Sequence, residues 1–235
     1  MKVSRSLDRS KQLLQRLIPA KQLQSQLNRR TFQRFAEKIG LVYFGYVDQR
    51  DDEHSLIRGL TVSTKHRDNH YCIGSFDGYD VTLVERIDTI HHPTKPSRTH
   101  NWVIMTFDLH QSVDMPHLFV GAHTHGDAFY QQLFTKYGSF NKIDVEQSGS
   151  YDFDFVNKYS VYAKAEQALS AQRLIHPALA REIANKFDKI SIEISEGTIY
   201  LYAENQQPNT ALLDKMLTRG VWLAQCFDQA AGSNG

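Results

Sequence analysis

Cysteine is scarce in this chain. Cys72 and Cys226 are the only two among 235 residues, far apart and in no CxxC or Cys/His spacing. That excludes a disulfide framework as the stabilising device and makes a reducing, cytoplasmic setting the expectation. Long apolar runs are also missing. No stretch approaches the roughly 18 apolar residues that a membrane-spanning helix needs. The opening MKVSRSLDRSKQLLQRLIP lacks the apolar centre of a secretory signal. No GxSxG elbow and no Walker loop is present, and the glycines of GSFDGYD open no helix that would cradle a phosphate. There is no repeat of fixed period. A net charge of only +1 argues against nucleic acid as a partner.

What remains is an ordinary globular composition, 41% hydrophobic and 23% charged, in a chain long enough to bury a core without staples. The charge is unevenly placed. Residues 1–39 carry ten Lys and Arg against Asp8 and Glu37, a local +8 that leaves −7 on the rest. The basic segment reads as helix. Leu7, Lys11, Leu14 and Ile18 fall at helical spacing, with Leu13 and Leu17 widening the stripe. Pro19 breaks the pattern. A second helix is expected from about Ala20 to Ile39, its apolar face built on Leu23, Leu27, Phe32, Phe35 and Ile39, with Gly40 as the C-terminal glycine.

Beyond Gly40 the period shortens to that of strands. LVYFGYV (41–47), 57–65, 70–76, 79–87, 102–110, 117–123, 158–164, 189–195 and 198–204 are β-branched or aromatic runs. Asp77-Gly78 and Glu196-Gly197 mark hairpins. HRDN (66–69) and the histidine- and proline-containing stretch 91–101 read as loops. Helices are expected at 127–138, capped by Asp127, at ALSAQRLI, after Pro177, and from Asn209 or Thr210 to about Gln229. Residues 139–157 are weakly determined. The sum is α+β: a mainly antiparallel sheet with flanking helices. The expected division is a basic helical arm (1–29), one domain (30–230) and a tail (231–235).

Two features point toward function. GAHTHGDAFY (121–130) holds His123, His125 and Asp127 at two-residue spacing. On an extended strand all three would face one way and hold zinc or manganese, three ligands and a water making a hydrolytic centre. The stretch is similar to the HxHxDH motif of metallo-β-lactamase-fold hydrolases but departs from it at Ala128, where that family has its second-metal histidine. The competing reading has Gly126-Asp127 turning the chain and capping a helix, with no cofactor. His91, His92, His100, His110, His117 and His176 form no second motif. The other feature is the arm. Arg5, Arg9, Lys11, Arg16, Lys21, Arg29 and Arg30 are candidates for contact with a protein partner or an anionic membrane surface. Phe32 and Phe35 share a face expected to pack inward, which leaves no aromatic platform for nucleic acid. Tyrosines on KYSVYAK and TIYLYAE would suggest a binding cleft if they emerged on one open face.

Four stretches carry a resemblance: FAEKIGLVYFGYV, FDGYDVTLVER, YDFDFVNKYSVYAKAEQALSAQRLIHPALAREI and ISIEISEGTIYLYAE. In these the chain is similar to an uncharacterised group of bacterial proteins of unknown function. The resemblance implies an α+β domain of bacterial origin and supplies no catalytic residue. The expectation is therefore a non-enzymatic interaction module, cytoplasmic and at the inner membrane face if the arm binds lipid. The alternative is a metal-dependent hydrolase centred on His123, His125 and Asp127.

Overall fold

The structure is a computed structural model that describes residues 20–46, 66–90, 98–110, 115–124, 140–145 and 151–232. Helix α1 (Ala20–Ile39) leads into strand β1 (Val42–Gly45). Strands β2 (Arg67–Phe76), β3 (Tyr79–Ile90) and β4 (Arg98–Asp108) follow as a meander, then β5 (Leu118–Ala122) and β6 (Phe140–Ile143). Helix α2 (Phe153–Lys158) precedes β7 (Tyr159–Lys164), and a short 3-10 turn joins it to α3 (Ala168–Leu174) and α4 (Pro177–Lys186). The hairpin of β8 (Ile190–Ser195) and β9 (Thr198–Glu204) leads to the long α5 (Thr210–Gly232). All nine strands join one antiparallel sheet in the order β1-β2-β3-β4-β9-β8-β5-β7-β6. The α+β expectation holds. No described helix is long and apolar enough to cross a membrane.

Local chemistry explains the joints. Asp77 and Gly78 have φ of 50° and 86°, and Glu196 and Gly197 have 50° and 76°. Two successive positive-φ residues make the turn whose twist matches a hairpin, and glycine takes the second place without strain. Pro177 opens α4, and His176 caps it, its Nδ1 accepting from Leu179 N at 3.3 Å. Asn209 does the same for α5 through Leu212 N at 2.9 Å.

The pleat separates two faces. One continuous row crosses all nine strands: Tyr43, Cys72, Leu83, Met105, Leu201, Ile192, Val120, Val161 and Ile143. This face carries the helices. Phe32, Phe35 and Ala36 of α1, Phe155 of α2, Leu179 and Ile183 of α4, and Leu213, Met216, Leu223 and Phe227 of α5 belong to the same core. The inward packing expected of Phe32 and Phe35 is found, and so is the apolar face of the last helix. Gly220 lets α5 lie directly on β4. An added Cβ there would sit 2.0 Å from Phe107 Cε2.

The other face has a different chemistry. Its row reads Val42, Ile73, Thr82, Thr106, Tyr200, Glu193, Phe119, Tyr162 and Lys142. Its apolar cluster, Tyr71, Val84, Trp102, Ile104, Phe119, Tyr162, Tyr200 and Tyr202, contains no helical residue. Polar groups are buried among these rings. Arg86 donates through Nε and Nη2 to both oxygens of Asp68, at 2.7 Å each. Glu193, fully buried, accepts from Tyr202 Oη at 2.6 Å and from His117 Nε2 at 2.7 Å. His100 pairs with Glu204. These partners meet the requirement that a buried charge be paired and hydrogen-bonded.

Several expectations need correction. The HRDN loop is strand from Arg67 onward, and residues 98–101 of the 91–101 loop are the start of β4, paired with 87–90. In each place an inward residue is polar because it meets a buried ionic partner, Asp68 with Arg86 and His100 with Glu204, so no hydrophobic alternation announces the strand. Within 139–157, β6 and α2 were not foreseen. The strand at 57–65 and the helix at 127–138 lie outside the described residues.

Candidate functional site: a basic, aromatic cleft at the sheet edge

Among the described strands β1 lies at one end of the sheet, directly after α1. Gly40, at φ 84°, turns the chain, and Leu41 N donates to Ala36 O at 2.9 Å. Val42 then pairs with Ile73 and Tyr43 with Cys72 before the register shifts, so that Gly45 faces Tyr71. On β2 the register shifts again between Asn69 and Cys72. His70 sits inside that irregularity at φ 57°, a conformation uncommon for a residue with a side chain. Two bulges thus meet at one point and throw His70 toward α1.

His70 is held on all sides. Its ring lies 5.1 Å from that of Phe32, and its Nδ1 accepts the Tyr43 hydroxyl proton at 2.9 Å. Its Nε2 is 3.5 Å from Glu85 Oε2. Burial, with Arg29 alongside, outweighs that carboxylate and pushes the imidazole down to about 4, so it is neutral at pH 7. Burial also raises Glu85, opposed by a hydrogen bond from Asn28 Nδ2 at 2.6 Å. Asn28 in turn accepts from Gln24 Nε2 at 2.8 Å. The chain Gln24, Asn28, Glu85, His70, Tyr43 fastens the middle of α1 to the bulged edge.

Above His70 opens a cleft of about 580 Å³ walled by Arg29, Gln33, Tyr43, Phe44, Tyr46 and Asn69. A second hollow of about 400 Å³ continues along α1 past Gln26, Arg29 and Arg30. No carboxylate is among the described residues lining either one. Arg67 adds a third cation, 5.3 Å over the Tyr46 ring. Beside the cleft the surface is apolar. Of seven large hydrophobic residues exposed among those described, four crowd here: Val42 (56%), Phe44 (57%), Tyr46 (55%) and Ile73 (39%). Phe44 leans on Tyr71 at 6.1 Å between ring centres.

The residues singled out from sequence are placed as follows. Arg29 lines the cleft and Arg30 its extension. Lys21 lies on α1, and Arg5, Arg9, Lys11 and Arg16 lie outside the described residues. His123 follows β5, and both its ring nitrogens are engaged: Nδ1 with Asn157 O at 2.8 Å and Nε2 with Ser160 Oγ at 2.7 Å. His125 and Asp127 lie outside the described residues. Among the described residues no three His, Cys, Asp or Glu side chains converge as a metal would require. His100, His110, His117 and His176 are spread over separate local partners. The tyrosines of KYSVYAK and TIYLYAE are buried rather than gathered on an open face. Besides Phe153, the aromatics that emerge among the described residues are Phe44 and Tyr46 of LVYFGYV, whose lack of alternation was the available signal.

No protein-family model matches this chain, and no curated protein does. Among solved structures it is similar to the crystal structure of the mycobacterial trehalose monomycolate transport factor A, TtfA. The TM-score is 0.56, at 10% identity, over 86% of this chain and 93% of that one. At that identity the likeness is one of fold.

Proposed function

We propose that the protein is a non-enzymatic binding module that takes an extended, acidic segment of a protein partner along the outer edge of β1. The observation that carries this reading is the contrast between the two ends of the sheet. Edge strands expose unpaired N–H and C=O groups, and proteins commonly blunt them with charge. The β6 edge follows that rule with exposed Asn141 and Lys142. The β1 edge breaks it, presenting Val42 and Phe44 beside a hollow floored by aromatic rings. An added strand would satisfy the backbone of β1, seat its alternate apolar side chains on Val42, Phe44 and Ile73, and meet Arg29, Arg30 and Arg67 with its carboxylates.

An anionic membrane would satisfy the arginines and the apolar side chains equally well, but not the outer backbone groups of β1, which pair with no described strand and would have no partner in the acyl region. A fold shared with a transport factor is in keeping with a role in binding. The reading needs no cofactor. Metal-dependent hydrolysis at His123, His125 and Asp127 would require one His123 ring nitrogen to leave its partner, Nδ1 from Asn157 O or Nε2 from Ser160 Oγ.

Selection of random displayed peptides on the full chain, with counter-screening on Phe44→Glu, tests the proposal. Peptides of alternating apolar residues with interspersed Asp or Glu should be enriched. They should slow amide exchange at residues 42–45 and lose binding to Phe44→Glu. Peptides that bind both proteins equally would refute it. So would wild-type partitioning onto phosphatidylglycerol vesicles that Phe44→Glu abolishes while no peptide is enriched.

A further inference from the structure

A second cleft, of about 430 Å³, opens where the end of β5 meets the start of β7 and the turn before β8. His123, Thr124, Asn157, Lys158, Asp188 and Lys189 line it. Asp188 and Lys189 are both in the left-handed region, at φ 24° and 58°. Asp188 is the first residue past the C-cap of α4, where helices commonly turn left-handed, but Lys189 has no such reason. Backbone strain of this kind persists where the surroundings impose it, often at ligand sites.

Basic side chains crowd this turn, around the single carboxylate of Asp188 on the described cleft wall. Lys215 and Arg219 stand one helical turn apart on α5, a spacing at which like charges repel. Lys215 Nζ reaches Asp188 O at 3.4 Å, which brings the pair to the same turn as Lys189. Lys158 donates to Ala184 O at 3.3 Å and has Asp154 at 3.6 Å. Among the described residues Lys189, Lys215 and Arg219 form no close salt bridge, and Asp188, which attracts Lys215 and Arg219, is the one carboxylate on the cleft wall. Burial lowers the Lys215 amine, and Arg219 and Lys189 lower it further while Asp188 opposes them. Two of these cations cap carbonyls at the end of α4, which accounts for their positions. It does not account for Lys189 or Arg219, both of which repel the Lys215 amine, although Asp188 attracts Arg219 in return. His123, with both ring nitrogens committed, is a fixed wall rather than a ligand.

We propose that this cleft is a binding site for a phosphate group, with Lys158, Lys189, Lys215 and Arg219 as its donors. A dianion relieves the repulsion among the four cations, and the planar fork of Arg219 matches two phosphate oxygens. The phosphate arrives free, on a small ester, or on a lipid headgroup.

The test is an amide and imidazole NMR titration of the full chain with inorganic phosphate, against chloride at matched ionic strength. Phosphate should move the Thr124, Lys189 and His123 signals saturably. Lys189→Gln combined with Arg219→Gln should weaken binding by about ten-fold or more, whereas Arg29→Gln with Arg30→Gln at the other cleft should not. The last variant also separates this site from the peptide edge. A parallel arm offers phosphatidic acid vesicles. Retention that the Lys189→Gln/Arg219→Gln variant loses identifies a headgroup as the source; a response to free phosphate alone identifies a soluble ligand. Signals that move no more with phosphate than with chloride would overturn the proposal. Equal weakening by the two double variants would overturn it as well.

Discussion

Replacing His70 by Asn should flatten the acid limb of this protein's stability. The unfolded imidazole has its ordinary value of 6.5, and the folded one is pushed down to about 4 by burial and Arg29. Between those values the unfolded chain binds a proton that the folded chain refuses, so stability falls as pH falls through 6.5 and levels off near 4. At pH 5 the loss from this group is about 2 kcal/mol relative to neutral pH. Glu85 acts in the opposite sense, because its raised carboxyl takes up a proton in the folded state first. Urea unfolding from pH 7.5 to 4.5 should therefore be run in the Glu85→Gln background as well as in wild type. Asn is the replacement of choice because it tolerates the φ of 57° at this position and does not titrate. With Glu85→Gln, the His70-containing protein should lose roughly 2 kcal/mol more than its Asn variant on going to pH 5. Parallel curves would mean that the imidazole is not buried as a neutral group. The account of the cleft floor, and with it the anchoring of α1 to the sheet edge, would then be wrong.

Gly220→Ala poses a question of sign. Helix propensity alone favours alanine by about 1 kcal/mol, but the new methyl would lie 2.0 Å from the Phe107 ring. Overpacking of this kind costs roughly 1–3 kcal/mol. Net destabilisation is expected in thermal unfolding, with recovery on adding Phe107→Leu; stabilisation by the single change would refute the close approach of α5 to β4. For His123, His125 and Asp127, protein purified without a nickel column should hold no stoichiometric zinc or manganese by elemental analysis. Stoichiometric metal that disappears in a His123→Ala/His125→Ala variant would reinstate the hydrolase reading.

The elements that announced themselves in sequence did so through backbone chemistry. Asp77-Gly78 and Glu196-Gly197 placed two hairpins because few other pairs tolerate consecutive positive φ, and Pro177 placed the start of α4. What stayed hidden was the second face of the sheet. Alternation of apolar and polar residues is normally read as core against solvent. Here Asp68, Arg86, His100 and Glu193 are polar and buried, each satisfied by a partner distant in sequence. A pattern that is apolar on one face and ionic on the other hides strands such as 67–69 and 98–101. Arg29 and Arg30 could be named from charge alone, since a cationic face is visible in composition. His70 could not, because a bulge leaves no mark on a sequence until the register of both neighbours is known.

The map of backbone strain gives the two clefts a common physical basis. Six non-glycine residues among those described have positive φ. Asp77 and Glu196 are the first residues of tight hairpins, and Asn205 is of the type that tolerates this region. That leaves His70, inside the bulged edge, Asp188, the first residue past the C-cap of α4, and Lys189, the one of the three whose residue type does not favour this region. All three line a described hollow with basic side chains on its wall. Each costs of order 1–3 kcal/mol, against a total stability of roughly 5–15 kcal/mol. A chain under selection for folding alone would have removed such costs by substituting glycine or asparagine, which needs only a small change in sequence. Their concentration at two basic hollows, on a sheet whose remaining turns follow ordinary rules, favours surfaces shaped for ligands over accidents of packing.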